Sequence, residues 1–246
     1  MERRVFIARA VYTAVFTALV FVATAMIAIE TPATKGFFNF GETMVYTTAL
    51  LTMDPIVAAF AGGVGSMLAD VYLGYGHYAP GTLVIKGIEG LLAVTLINFF
   101  IKFRKYWSQL LAIMAILLGA TIVVIGTVLY SGETILYLGN NEIIINIDPI
   151  YWVILGIIVT VIVLVIGFKY EELVGIKIIG LMIAGLEMVF GYFLYQVFIL
   201  GYQPPVAATE LPVNIGQALI GITIGLPLSE TLRKMGVGIG FGSEKQ

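Results

Sequence analysis

Long apolar stretches alternate with short polar or glycine-rich segments along the whole of this 246-residue chain. A stretch of about 18 or more apolar residues is long enough to cross the ~30 Å hydrocarbon core of a bilayer as a helix. The second stretch is short for a span, and we expect a tilted or partly re-entrant helix there. The eight helical segments that the pattern predicts are residues 6–29, 42–53, 55–73, 82–103, 109–130, 149–168, 174–200 and 212–232.

The pattern favours helices over a transmembrane barrel. Inside a bilayer every backbone polar group must be paired within the protein, so only helix bundles and closed barrels are stable there. Barrel strands alternate apolar and polar residues, whereas residues 113–128 and 153–167 are almost continuously apolar. The composition agrees, since 60% of the residues are hydrophobic and 11% charged, against about 25% charged in soluble domains. We therefore predict an all-α fold, a polytopic membrane helix bundle.

The basic residues predict the orientation, because Lys and Arg concentrate on the cytoplasmic side of membrane proteins. With an even number of spans, the basic clusters all fall on one face, and this predicts a multi-pass protein of the cytoplasmic membrane with both termini cytoplasmic. The first apolar run has no A-x-A-like cleavage site, so we expect it to remain as a span. The clusters comprise Arg3, Arg4, Arg9, Lys102, Arg104, Lys105, Lys169, Arg233 and Lys234. The opposite face carries Glu30, Glu133, Glu142, Asp148 and Glu210, with Lys35 as its cation.

Several classes of function lack the residues they need. The formal charge is −2 and no long basic tract is present, so nucleic-acid binding has no support. The chain has no cysteine and one histidine, which excludes thiolate and multi-histidine metal sites. Neither G-x-x-x-x-G-K-[ST] nor G-x-S-x-G occurs, so the chain itself does not hydrolyse ATP and esterase-type catalysis has no support. We expect no catalytic residues, no metal and no cofactor.

Four ionisable residues lie inside predicted spans, where charges are costly and usually face a bundle interior or a cavity. They are Asp70, Lys86, Glu89 and Glu187. Lys86 and Glu89 are three residues apart and share a helix face. Asp70 and Lys86 lie near the outer ends of consecutive helices and are expected to approach each other. One interpretation is a buried ion pair that fixes helix packing, and the other is the polar floor of an outward-facing pocket. The two are compatible.

Three outer loops, residues 30–41, 74–81 and 201–211, are rich in Gly, Pro and aromatic residues, which is typical of loops that fold over a ligand. Asn39 and Glu42 are interpreted either as an ordinary turn residue and a helix-dipole partner or as ligand contacts. His77 and Tyr78 are expected to hydrogen-bond or stack in a lid. Asn214 and Gln217 share one helix face.

Polar groups also occur along the helix before the last, at Glu187, Tyr192 and Tyr195. Convergent amides, tyrosines and a few charges in an apolar bundle suit a small, neutral, partly aromatic ligand. On the first helix Ala10, Ala14 and Ala18 form a flat strip of small residues, which serves either internal packing or docking of a separate membrane subunit. Gly62, Gly63 and Gly65 are expected to allow close helix packing.

Four of these runs together resemble the substrate-binding membrane subunit, or S component, of energy-coupling factor (ECF) transporters, the vitamin-uptake branch of the ATP-binding cassette systems. The alanine strip is the least specific of them. The other three are T-K-G-F-F-N-F-G-E at 34–42, A-G-G-V-G-S-M-L-A-D-V-Y-L-G-Y-G-H-Y-A-P-G-T-L-V-I-K-G-I-E-G-L at 61–91, and E-L-P-V-N-I-G-Q-A-L-I-G at 210–221.

The resemblance implies a subunit that sits in membrane lipid and captures a vitamin or vitamin precursor outside the cell. It implies docking through Ala14 and Ala18 onto a transmembrane coupling subunit that two ATPase subunits drive. It also implies a ligand site beneath the outer loops, among the ends of the later helices. The positions implicated are Asn39, Glu42, His77, Tyr78, Lys86, Asn214 and Gln217.

The chain departs from the usual six spans of such subunits. Two extra helical segments predict a helical hairpin inserted at about 106–170, within a single integral membrane domain (1–246) whose core comprises 1–105 and 171–246. A strand-like run at 142–147 suggests a small hairpin between the two extra helices. The ligand remains open between an aminopyrimidine such as a thiamine precursor, riboflavin and a pyridoxine-like compound, and Lys86 would suit a carboxylated ligand.

The alternatives to a capture subunit are an integral membrane enzyme using Asp70, Glu89 or His77, a self-sufficient secondary transporter, and a scaffold protein. Secondary transporters usually have two related halves, and no internal repeat is visible in this sequence.

Overall fold

The structure, a computed structural model, describes residues 2–31, 34–138, 141–169 and 172–238. Pro32 and Ala33 of the first outer loop therefore lie outside the described residues. The helices are α1 (Glu2–Met26), α2 (Gly41–Thr52), α3 (Pro55–Leu73), α4 (Ala79–Lys102), α5 (Trp107–Leu129), α6 (Pro149–Lys169), α7 (Glu172–Phe198), α8 (Pro204–Ala208) and α9 (Leu211–Lys234), with a 3-10 turn at Arg104–Tyr106. The strands are β1 (Ile29–Glu30), β2 (Phe37–Phe38), β3 (Gly132–Leu138) and β4 (Asn141–Ile147).

The helices confirm the predicted polytopic bundle, because each of the eight predicted segments contains a helix. The end predicted for the first segment is wrong, since α1 ends at Met26 and Ile29 pairs in β1. Among the described residues, six helical ranges are long and apolar enough to cross a membrane, and α6 contributes a shorter apolar helix over Pro149–Val165. The six ranges are Phe6–Met26, Pro55–Leu73, Ala79–Lys102, Arg104–Val128, Glu172–Phe198 and Pro204–Lys234.

Helix α2 is short and almost completely enclosed. Its 12 residues rise about 18 Å, less than the ~30 Å needed to cross the hydrocarbon core. Every α2 residue except Met44 is buried, and the helix packs against α1, α3 and α9. It ends at Met53 in a left-handed conformation, and Asp54 then caps α3 by accepting hydrogen bonds from the backbone N–H groups of Ile56 (3.0 Å) and Val57 (3.3 Å). A connection of two residues, Met53 and Asp54, therefore joins α2 to α3.

Two arginine contacts tie other helices to this connection. The Arg9 guanidinium of α1 bonds to the Asp54 carboxylate at 2.5 Å, and the Arg233 guanidinium of α9 donates to the Leu50 carbonyl oxygen at 2.5 Å. The start of α1, the end of α2, the start of α3 and the end of α9 therefore lie at the same end of the bundle.

Helices α3 and α4 approach so closely that their contact requires glycine. A Cβ atom on Gly62 would lie 2.7 Å from the Lys86 carbonyl oxygen, and one on Gly63 would lie 2.6 Å from that of Leu83. Gly65 faces α1 instead, where a Cβ would lie 2.7 Å from the Thr17 carbonyl oxygen. All three glycines thus serve the close packing that the sequence predicted.

We expect Gly63→Ala to destabilise the protein by about 1–3 kcal/mol, because the added methyl group overpacks against a backbone that cannot move aside alone. The matched control is Gly87→Ala on the facing helix, where the nearest atom to a new Cβ is the Ala59 carbonyl oxygen at 3.6 Å, an ordinary contact. Thermal unfolding of the two purified variants in detergent measures the difference. Equal midpoints for Gly63→Ala and the wild type would contradict the close α3–α4 contact.

The chain divides into two compact units, residues 1–100 with 180–246 and residues 101–179. In the second unit, α5 and α6 pack through small residues, since a Cβ on Gly156 would lie 2.7 Å from the Gly119 carbonyl oxygen. The Trp152 indole N–H donates to the Tyr130 carbonyl oxygen at 3.3 Å. Strands β3 and β4 pair antiparallel between these helices, which confirms the hairpin that the strand-like run at 142–147 suggested. The organisation as one domain with an inserted hairpin stays a prediction.

Candidate functional site

The three outer segments of the first unit meet at one backbone carbonyl group. The Thr34 carbonyl oxygen accepts hydrogen bonds from the hydroxyl groups of Tyr78 and Tyr202, each at 2.9 Å. These three residues come from the three loops that the sequence predicted to fold over a ligand. Strands β1 and β2 pair within the first of these segments, with Ile29 opposite Phe38. The loops are therefore joined to each other.

Glu210 anchors this junction from inside the protein. Its carboxylate accepts hydrogen bonds from the Thr34 hydroxyl group and from Gln196 Nε2, the latter at 2.6 Å, and Gln196 Nε2 also donates to the Tyr78 hydroxyl oxygen at 3.0 Å. The sequence placed Glu210 among the charges on the outer face, but the residue is only 5% exposed. A Cβ on Gly36 would overlap the Glu210 carboxylate group, so the lack of a side chain at this position leaves room for Glu210.

An exposed ion pair lies on the first outer segment. Lys35 donates to the Glu30 carboxylate at 2.9 Å, and the Tyr75 hydroxyl group donates to it at 3.2 Å. The hydrogen bond from Lys35, followed by that from Tyr75, lowers the pKa of Glu30. Both partners of the pair are well exposed, and such pairs contribute little to stability.

A polar cavity of ≈ 30 Å³ lies among residues of the outer segments and of α3, α4, α7 and α9. This volume holds about one or two water molecules. Seven of the predicted site residues line it, namely Asn39, Asp70, Tyr78, Lys86, Tyr192, Asn214 and Gln217. The other lining residues, which the sequence analysis did not select, are Gly36, Phe37, Thr82 and Glu210. Gly36 and Phe37 lie within the 34–42 run that carries the family resemblance, so that run could have indicated them as site residues.

Lys86 belongs both to a buried ion pair and to the floor of the cavity, the two interpretations that the sequence left open for the charged residues. It lines the cavity, and behind it its ammonium group pairs with Glu42 and, at 3.0 Å, with Glu89. The Tyr46 hydroxyl group donates to the second Glu89 oxygen at 2.7 Å. The Glu42 and Glu89 side chains are fully buried and do not line the cavity. The buried ion pair and the polar pocket floor are therefore one structure.

Asp70 presents an acceptor that the described protein does not satisfy. Its Oδ2 atom is buried and has no hydrogen-bond partner among the described residues. The Asp70 carboxyl group lies near the Thr82 side chain, whose Oγ1 atom accepts a hydrogen bond from the Tyr192 hydroxyl group at 2.9 Å. Leaving a buried acceptor unpaired costs about 1–3 kcal/mol. An unpaired acceptor in a cavity wall is therefore a candidate ligand contact.

Four predicted site residues lie outside the cavity lining, namely the Lys86 partners Glu42 and Glu89, and also His77 and Glu187. His77 is exposed; its ring packs on Tyr78 at a centroid distance of 4.7 Å, and its carbonyl oxygen accepts from the Tyr195 hydroxyl group at 2.8 Å. Its backbone thus supports the loop, while its ring faces the surface. Glu187 is half-buried on α7, and its Oε2 atom has no partner among the described residues, but it does not line the cavity.

The alanine strip lies on an uncovered face of α1. Ala10, Ala14 and Ala18 are exposed, whereas Phe16 and Val20 on the other side of the helix are buried in the bundle. The interpretation of the strip as internal packing is therefore wrong for the described structure. Its use as a docking surface stays a prediction.

Comparison with known proteins identifies the family. A family model described as "ECF-type riboflavin transporter, S component" matches residues 5–172 and 142–234, which is most of the chain. A Pyrococcus woesei protein described as an uncharacterized protein in a gap 3′ region is 41% identical over 107 residues, 44% of this chain and 67% of that protein. The chain therefore belongs to the S-component family of ECF-type riboflavin transporters, whose members are membrane transport subunits and not enzymes.

Proposed function

We propose that this protein captures riboflavin, or a vitamin with a closely related ring system, on the outer side of the cytoplasmic membrane. The unpaired, buried Asp70 Oδ2 atom in the wall of a cavity next to the joined outer segments carries this proposal. A flavin ring has N–H and carbonyl groups on one edge and a broad apolar face. The aromatic side chains of Phe37, Tyr78 and Tyr192 in the same wall suit such a face.

The family description favours riboflavin over the thiamine precursor and the pyridoxine-like compound. The contacts of Lys86 argue against a carboxylated ligand. Its ammonium group already has two carboxylate partners, Glu42 and Glu89, and a third carboxylate would add to an excess of buried negative charge.

Entry of a three-ring vitamin requires the outer segments to move, because the cavity of ≈ 30 Å³ is smaller than the ~300–1,000 Å³ of typical ligand pockets. The hydrogen bonds between segments that would have to break are those of Tyr78 and Tyr202 to the Thr34 carbonyl oxygen, that of the Thr34 hydroxyl group to Glu210 and that of Tyr75 to Glu30. They are few, and each contributes about 0.5–1.5 kcal/mol net. The segments are therefore suited to open and close at modest cost.

Transport requires partners, since the sequence contains no nucleotide-binding loop. We propose that the exposed strip of Ala10, Ala14 and Ala18 docks onto a transmembrane coupling subunit that two ATPase subunits energise. Small residues let two membrane helices approach closely, which suits such a contact. Both termini are proposed to be cytoplasmic, on the side where Arg9 and Arg233 lie at one end of the bundle.

Mass spectrometry of small molecules released from the purified protein, followed by riboflavin titration through its fluorescence, tests the capture role. We expect stoichiometric flavin or submicromolar binding. An empty preparation that binds neither riboflavin, thiamine precursors nor pyridoxine would overturn the proposal.

We expect Asp70→Leu to weaken riboflavin binding by about 10–100-fold, because a ligand N–H group would lose its acceptor. The same change should leave the unfolding temperature equal or higher, since it removes a buried carboxylate whose Oδ2 atom has no partner among the described residues. The matched control is Asp148→Leu, because Asp148 is exposed in the second unit. Unchanged affinity in Asp70→Leu would show that Asp70 is not a ligand contact.

A further inference from the structure

The side-chain amides of Gln217 and Asn214 form a hydrogen-bonded chain with the Asn39 backbone in the cavity wall. The Asn39 backbone N–H donates to Gln217 Oε1 at 2.7 Å, and Gln217 Nε2 donates to Asn214 Oδ1 at 3.0 Å. A separate contact joins the Gly41 backbone N–H to Asn39 Oδ1 at 2.7 Å. The three amide side chains all line the cavity, and each residue is at least nine-tenths buried.

The backbone N–H groups of Asn39 and Gly41 determine which end of each amide group accepts and which end donates. The oxygen and nitrogen ends of an amide look alike in outline, and only the hydrogen-bond network distinguishes them. A backbone N–H can only donate, so Gln217 must turn its oxygen toward Asn39. The Gln217 NH₂ group then faces Asn214, and the Asn214 side-chain oxygen must accept its hydrogen bond.

The two asparagines consequently present their nitrogen ends to the cavity. Asn214 uses its oxygen for Gln217, and Asn39 uses its oxygen for the Gly41 N–H group. Neither Nδ2 group has a hydrogen-bond partner within the described part of the chain, and both residues line the cavity. The wall therefore offers N–H donors from the residue after β2 and from α9, in addition to the Asp70 acceptor from α3.

We infer that Gln217 is a positioning residue that fixes Asn214 as a hydrogen-bond donor, so that this wall recognises carbonyl oxygens or ring nitrogens of the ligand. The inference deepens the proposed capture of riboflavin and rests on it for the identity of the ligand. Both polar ends of Gln217 are committed to the protein, so Gln217 acts on the ligand through Asn214.

The first test needs no ligand. In Gln217→Leu, the Asn39 backbone N–H loses its acceptor, and we expect its hydrogen exchange to accelerate about fivefold or more, measured by NMR or mass spectrometry in detergent. Gln109→Leu is the control, because Gln109 is exposed in the second unit. We call the hydrogen bonds from the Asn39 backbone through Gln217 to Asn214 the relay. Unchanged hydrogen exchange at Asn39 in Gln217→Leu would overturn the relay, whatever the protein binds.

The second test reverses the relay through Gln217→Glu. At pH 8 the introduced carboxylate accepts only, so Asn214 must turn its NH₂ group toward it and present its oxygen to the cavity. We expect riboflavin affinity to fall about 10–100-fold. At pH 5 a protonated carboxyl group can again donate to Asn214 Oδ1, and affinity should recover. The wild type is measured at both pH values, because Asp70, Tyr78, Lys86, Tyr192 and Glu210 are ionisable groups of the same wall.

A double variant separates the relay from simple charge repulsion. When Gln217→Glu is combined with Asn214→Ala, residue 214 has no amide group that could turn. The recovery of riboflavin affinity at pH 5 should therefore disappear. Recovery of equal size in the single and double variants would mean that charge alone acts, which would overturn the inference. If the Asn39 exchange behaves as expected but no vitamin binds to the wild type, the proposed function fails while the relay stands.

Discussion

Replacement of Lys86 by methionine should destabilise the bundle by about 3–5 kcal/mol, the largest loss of stability that we expect from a single side chain. Methionine keeps much of the length of lysine but removes the cation between Glu42 and Glu89, which are fully buried. Two carboxylates without a counter-ion in a membrane bundle are far more costly than the paired group. Thermal unfolding and size-exclusion profiles in detergent measure the loss.

The matched control is Lys102→Met, since Lys102 is exposed at the end of the same helix. A triple variant in which Lys86→Met is combined with Glu42→Gln and Glu89→Gln should regain most of the stability, because the uncompensated charges are gone. An unfolding midpoint in Lys86→Met that matches the wild type would mean that the two glutamates do not depend on Lys86.

Ala14→Trp should abolish assembly with the coupling and ATPase subunits while riboflavin capture stays within twofold of the wild type. Ala14 is exposed in the middle of the alanine strip of α1, and an indole there would hold a docked helix several ångströms away. The cavity lies elsewhere in the bundle and does not include α1 residues. Co-purification of the subunits, together with riboflavin titration, separates the two effects.

Leu19→Trp controls for the effect on assembly of adding a large side chain anywhere on the exposed surface of α1. Leu19 is also exposed on α1, but at about 100° per residue it faces about 140° away from Ala14. It should assemble normally. Normal assembly of Ala14→Trp, or equal loss in both variants, would contradict the docking strip.

The sequence predicted the helices well, because membrane spans have a strong local signal. Apolar runs identified eight helices, including the short α2, and α3 begins and ends where the pattern placed it. Helix α8 was missed, since its Pro-Pro start was interpreted as loop, although proline is favoured in the first turn of a helix. The i, i+3 spacings of Lys86 with Glu89 and of Asn214 with Gln217 indicated side-chain contacts that the structure contains.

The site was predicted in outline but not in its contacts, because those contacts join residues that are distant in sequence. Glu42 and Lys86 are 44 residues apart, and Asn39 and Gln217 are 178 apart. Glu210 shows the difficulty best: its position between two helices suggested an exposed loop charge, whereas its partner Thr34 lies 176 residues away. No local pattern indicates that such a residue is buried.

The enclosure of α2 also bears on how the chain is made. A 12-residue helix that begins with Gly-Glu is a poor substrate for insertion into lipid on its own, because it is too short to span and carries a carboxylate. Its Glu42 gains a counter-ion only when Lys86 of α4 arrives during synthesis. We therefore expect the first four helices to leave the insertion machinery for the bilayer together, after α4 has been synthesised.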